Sequence, residues 1–265
     1  MNALLPLYIV PFDFTEVSEQ ALHLAFQLAE KNDRQVYLLH VAENLHTKIA
    51  AHRNFEDRVN KMSSAEKKRI TTKVIVGNIF EDLAKAGDLL NATMIVMGTH
   101  GAKGLQKLFG SHAQKVIAAS NVPVLIVREN ENLDSFKTIV MPFSFQKGSI
   151  RVLRYAATMA KEMNSTIHLA SQDKSVGSLA EDLRVNEMVS RNFLTDNEIA
   201  FEVVNLPNVK PYANELIDYA VEVEAGLIAA TYAKDGFLPI PNVFIQEMIE
   251  NQVMIPVLTI NADEN

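Results

Sequence analysis

Gly98, Gly101, Gly104 and the pair Gly110-Ser111 fall in one stretch of chain that also carries His100, Lys103, Lys107 and His112. Closely spaced glycines let a backbone adopt positive φ and approach an anion. A helix opening at Gly110-Ser111 points free N–H groups and the positive end of its dipole at negative charge. The basic side chains add donors. The chemistry these residue types can do together is to grip a phosphate. A charge-assisted hydrogen bond contributes roughly 1.5–3 kcal/mol, so a handful of them holds a nucleotide at micromolar strength after ordering costs. The same glycines also suit a plain connection that turns where turns are needed.

A second group, Pro11-Phe12-Asp13, stands directly after an apolar run, as the glycine stretch stands directly after Met97. Asp13 can hydrogen-bond a base or ribose, can help hold a magnesium ion through water, or can cap a helix beside Thr15; the residues alone leave these open. Among the histidines, His100 lies inside the glycine stretch and is the best placed for ligand contact. His40 ends an apolar segment and reads as structural. His23 and His168 belong to amphipathic segments. There is no G-x-x-x-x-G-K-[ST] loop, no G-x-G-x-x-G fingerprint, no G-x-S-x-G elbow and no zinc spacing, so no catalytic residue is assigned.

The elements that must position these residues follow from periodicity. Leu7 to Val10, Val36 to His40, Thr72 to Val76, Met94 to Met97 and Val124 to Val127 read as strands. Between them, Ser18 to Glu30 carries Ala21, Leu22, Ala25, Leu28 and Ala29 on one helical face, with Thr15 as N-cap. Leu45 to about Glu66 reads as one long charged helix and Ile79 to Leu90 as another. A last helix, capped by Ser111, carries Val116 and Ile117. Strands alternating with amphipathic helices predict a parallel, doubly wound α/β sheet with right-handed crossovers. In such a sheet ligands bind beyond the carboxyl ends of the strands, where strand order reverses. Pro11, Asp13, Met97 and Gly98 would meet there.

The plan then repeats. Ile9-Val-Pro-Phe-Asp-Phe14 returns as Ile139-Val-Met-Pro-Phe-Ser-Phe145, and Asn121-Val-Pro-Val-Leu-Ile-Val127 returns as Met254-Ile-Pro-Val-Leu-Thr-Ile260. Polar Glu129-Asn-Glu-Asn-Leu-Asp134 marks the joint, giving domains 1–131 and 132–265. Phe136 to Met141, Ile167 to Ala170, Ala200 to Val204 and Leu227 to Ala230 are strands of the second copy. At aligned offsets Asp13 becomes Ser144, Gly98 becomes Thr231, Gly101 becomes Lys234 and Gly110-Ser111 becomes Val243-Phe244. Side chains there occupy the space phosphates would need, so a ligand site is expected in the first half alone.

Composition narrows the class. Of 265 residues 48% are hydrophobic and 22% charged, ordinary for a globular protein. With no cysteine, disulfides and thiolate metal sites are excluded. The net charge of -7 disfavours a nucleic-acid partner. No apolar run reaches membrane-spanning length, and Met1-Asn-Ala-Leu-Leu-Pro does not read as a secretion signal, so a cytoplasmic address is expected.

Taken together the residues resemble the universal stress protein family in its tandem form. The resemblance rests on Val10-Pro-Phe-Asp-Phe-Thr-Glu-Val-Ser-Glu-Gln-Ala21, Leu39-His40-Val41, Ala92-Thr-Met-Ile-Val-Met-Gly98-Thr-His-Gly101, Gly110-Ser111 and Val122-Pro-Val-Leu-Ile-Val127. It implies a Rossmann-like, adenine-nucleotide-hydrolase-like fold in each half. It implies that Asp13 and Val41 contact the adenosine end of an adenine nucleotide. Gly98, Gly101, Gly110 and Ser111 would surround the ribose and phosphates, with Pro11, Met97 and His100 beside them. ATP-binding members share G-x-x-G, nine residues, then G-[ST]. Here eight residues, Ala102 to Phe109, intervene, which tightens the loop and leaves ATP, ADP, AMP or another ligand open, with or without magnesium. The resemblance also implies edge pairing of Val124–Val127 with Val257–Ile260, an internal pseudo-dimer that can dimerise again, covering exposed edges. The leading expectation is a nucleotide-binding stress protein acting through an unidentified protein partner. The alternatives are a scaffold module without nucleotide and, ranked last, a slow ATPase.

Overall fold

The computed structural model describes residues 6–99, 109–128, 133–142, 149–172, 178–232 and 243–262, without the side chains of residues 109–112 and 178–183. The chain forms two compact units, residues 1–131 and 132–264.

The first unit runs β1 (Leu7–Pro11), α1 (Glu16–Lys31), β2 (Gln35–Ala42), α2 (Leu45–Asn60), α3 (Ser64–Arg69), β3 (Ile70–Val76), α4 (Ile79–Leu89), β4 (Met94–Gly98), α5 (Phe109–Ala119) and β5 (Val124–Val127). All its strands are parallel, in the order β3-β2-β1-β4-β5. Strand order therefore reverses between β1 and β4. Both are central, and β1 is buried along its whole length, as a strand covered on both faces must be. Edge strand β3 is half-buried or exposed along its length except at buried Val74.

Thr15 caps α1, its side chain accepting from the Ser18 N–H, and Val17, Ala21, Leu22, Leu24, Ala25, Leu28 and Ala29 are buried against the sheet. The helix ends with Asp33 at φ 48° while the Arg34 N–H reaches the Ala29 carbonyl, a left-handed C-terminal stop.

Two expected elements differ. The single helix over 45–66 is two, because Ser63 and Glu66 close a reciprocal capping box that starts α3 afresh. Helix α5 begins at Phe109 rather than after a Ser111 cap, which sets Gly110 and Ser111 inside its first turn.

The second unit runs β6 (Thr138–Pro142), α6 (Ser149–Met163), β7 (Thr166–Gln172), α7 (Ser178–Asp196), β8 (Phe201–Leu206), α8 (Tyr212–Glu222), β9 (Leu227–Tyr232), α9 (Val243–Ile249) and β10 (Val257–Asn261). Its strands are again parallel, in the order β8-β7-β6-β9-β10. Among the described residues no helix is long and apolar enough to cross a membrane.

Candidate functional site

At the switch point of the first unit, Pro11, Asp13, Val41, Met97 and Gly98 come together around one cleft of about 90 Å³. Strand β1 delivers Pro11, β2 delivers Val41, and β4 delivers Met97 and Gly98, each at a carboxyl end. Of the other candidates, His100 and Gly101 lie outside the described residues. Gly110 and Ser111 sit in the first turn of α5, whose second turn adds Val116 to the cleft wall.

Packing requires a glycine at position 98. A Cβ there would stand 2.1 Å from the Val17 carbonyl oxygen and 2.6 Å from its carbon. Its φ lies outside the left-handed region, so the expectation of positive φ is corrected: close packing of α1 on β4 excludes the side chain. The next residue, Thr99, is buried, and its hydroxyl meets no hydrogen-bond partner among the described residues.

The Asp13 carboxylate caps its own turn. Its Oδ1 accepts from the Thr15 N–H at 3.1 Å and the Thr15 hydroxyl at 2.5 Å. Both donors sit two residues on, the geometry of an Asx turn. Asp13 is exposed, and it is the one carboxylate among the described lining residues. Among the described residues no group of three His, Asp or Glu side chains could hold a metal ion.

His40 also borders the cleft. Its Nδ1 lies 2.7 Å from the Phe12 carbonyl oxygen. A carbonyl can only accept, so Nδ1 carries the proton and donates. This bond ties the end of β2 to the turn after β1. Phe14, next in that turn, holds φ 66°, a conformation costing a bulky L-residue about 1–2 kcal/mol. Its ring is pinned at 5.2 Å from the rings of Phe12, His40 and Phe55. The turn is thus braced from behind by an aromatic cluster.

Ile79 and Phe80 were not among the sequence candidates, yet they line the cleft together with Val41. Asn78 caps α4 through the Phe80 N–H, fixing both residues at the helix start. The available signal was their position: two large apolar residues in the first turn after β3, where the sheet's carboxyl ends converge. Phe80 also carries the Lys115 ammonium over its ring at 4.9 Å, a cation–π contact from α5. The lining is mainly apolar, from Val41, Ile79, Phe80, Met97 and Val116, and Asp13 supplies its carboxylate. A cleft of this character suits a planar ring carrying polar edges.

The model of the universal stress protein family matches residues 9–128. Universal stress protein G of Salmonella typhimurium is 30% identical over 138 residues, which are 45% of this chain and 96% of that protein. Universal stress protein MJ0531 of Methanocaldococcus jannaschii is 28% identical over 137 residues, 46% of this chain and 81% of that protein. A universal stress protein from Archaeoglobus fulgidus shares the fold across the whole length: TM-score 0.76, 20% identity, covering 97% of this chain and 98% of that one.

Proposed function

This chain belongs to the universal stress protein family, and from that premise we propose that its first unit binds an adenine nucleotide, ATP or ADP/AMP. One observation carries the reading: residues that family resemblance assigns to the adenosine end, Asp13 and Val41, line the same cleft as Pro11, Met97 and Gly98 at the switch point. The base enters the cleft that Val41, Ile79 and Phe80 line. Asp13 accepts from a ribose hydroxyl or the base edge. The phosphates run toward the first turn of α5, where free N–H groups favour them. Small-molecule sites usually span about 300–1,000 Å³, so the described cleft accommodates one end of the ligand. The resemblance, not the described residues, is what assigns His100 and Gly101 to the site.

The protein acts as a stress-response factor in the cytoplasm, signalling nucleotide occupancy to a protein partner without turnover. Titration with ATP, ADP and AMP while following thermal unfolding tests this. A ligand at a hundred times its Kd adds about 2.7 kcal/mol to stability, so the midpoint rises. An unchanged midpoint at millimolar concentrations of all three overturns the reading. The eight-residue spacing between Gly101 and Gly110 favours a second reading in that event, a scaffold module of the same fold that has given up nucleotide.

A further inference from the structure

The second unit repeats the first residue for residue in its strand registers. Leu7 against Gln35 becomes Thr138 against Thr166, and Tyr8 against Met94 becomes Ile139 against Leu227. Counterparts of the cleft residues can therefore be read directly. Of the cleft residues, Val41 corresponds to Gln172 and Gly98 to Thr231, while Ala170 corresponds to Leu39, the neighbour of cleft-lining His40. Ile79 and Tyr212 are each the first residue of the helix after the third strand.

Tyr212 stretches from that helix start to the carboxyl end of β7, where its hydroxyl donates to the Ala170 carbonyl oxygen at 2.6 Å. Its ring stacks on Phe244 with centroids 5.5 Å apart and planes 27° from parallel. Phe244 occupies the sequence position of Ser111 in the first unit. Gln172 at the Val41 position is drawn away: its Nε2 donates to the Glu215 carboxylate at 2.6 Å and to the Lys210 carbonyl at 2.9 Å. Thr231, buried, places a side chain where Gly98 has none. A planar ring, stacked on one face and with a polar edge bonded to a strand-end carbonyl, is what a purine would present at this position.

We propose that Tyr212, backed by Phe244, is a built-in occupant of the second unit's switch-point cleft, and that it closes this unit to planar heteroaromatic ligands. The choice of adenine as probe rests on the nucleotide reading of the first unit; the increment in binding does not. Equilibrium dialysis of adenine against the full chain, wild type beside Tyr212→Ala/Phe244→Ala, tests it. The double variant is expected to bind one more equivalent than wild type, two against one, or one against none if the first unit proves not to bind. An equal count in the two proteins overturns the proposal, whereas a wild-type count of zero bears on the first unit alone. Should the double variant fail to fold, Tyr212→Ala by itself serves, with p-cresol as the probe. A thermal midpoint raised by p-cresol in Tyr212→Ala and unmoved in wild type supports the occupant; equal response of both refutes it.

Discussion

Gly98 does its work by lacking a side chain: the Val17 carbonyl of α1 fills the space that a Cβ would need. Because the obstacle is backbone at the start of a buried helix, it cannot swing aside as a flexible side chain would. Gly98→Ala should therefore cost about 3 kcal/mol, seen as a lower urea midpoint with an unchanged slope. A loss below about 0.5 kcal/mol would show that α1 can retreat. Asp13 poses the opposite question, since it has both a structural partner and an exposed face. Asp13→Asn keeps an oxygen for the Thr15 N–H and hydroxyl but removes the charge. We expect thermal stability within about 0.5 kcal/mol of wild type and adenine-nucleotide affinity at least fivefold weaker. Unchanged affinity would confine Asp13 to its turn. Pro11, Asp13, Met97 and Gly98 were legible in the sequence because they stand at or just after strand ends, and Val41 came from the family resemblance. The reason for Gly98 was not legible, since a clash with the Val17 carbonyl of α1, 81 positions earlier in the chain, decides it and not a local turn.

At the scale of elements, Glu215 fixes the entry to α8. It is 4% exposed, yet its carboxylate accepts from Gln172 Nε2 and from the N–H groups of Asn208, Val209 and Lys210. Burial alone would raise its pKa, but these hydrogen bonds prevail and hold it below the ordinary value of 4.5. A depressed carboxylate contributes stability that is fully present above the unfolded-state pKa and is lost as pH falls through the folded one. Wild type should lose stability on acidification below about pH 4.5. Glu215→Gln should start less stable at pH 7, since an amide NH₂ now faces backbone donors, and should decline less over the acid range. Parallel acid profiles for the two proteins would refute this assignment. Asp82 makes the corresponding, simpler contact in the first unit, accepting from the Asn78 N–H at 2.8 Å. Strand and helix periods were readable along most of the chain, because the buried faces of α1 and β4 are apolar at the right spacing. The break at residues 61–63 was missed although Ser63-x-x-Glu66 spells a capping box, because charged residues on both sides mimic one continuous solvated helix. The role of Ile79 and Phe80 was missed because an apolar first turn looks the same from sequence whether it faces a core or a cleft.

For the whole molecule, two units with the same strand order have diverged at the switch point. The first leaves a cleft with Val41 and Phe80 in its lining, and the second fills the corresponding place with Tyr212 against Phe244. The repeat announced the shared fold, since strand registers depend on apolar pattern, which both copies keep. It also announced the loss at Gly98, Gly101 and Gly110-Ser111, but not that an aromatic ring from α8 replaces what was lost. Tyr212 precedes Phe244 by 32 positions in the sequence, and the two rings meet only through the fold of the second unit. The central claim is that one unit, not both, receives an adenine nucleotide. Isothermal titration of the full chain with AMP, ADP and ATP, wild type beside Val41→Trp, tests it most directly. The account predicts one equivalent per chain for the tightest of the three and at least tenfold weaker binding in Val41→Trp, where the indole fills the cleft. Two equal sites, or one site indifferent to Val41→Trp, would contradict it.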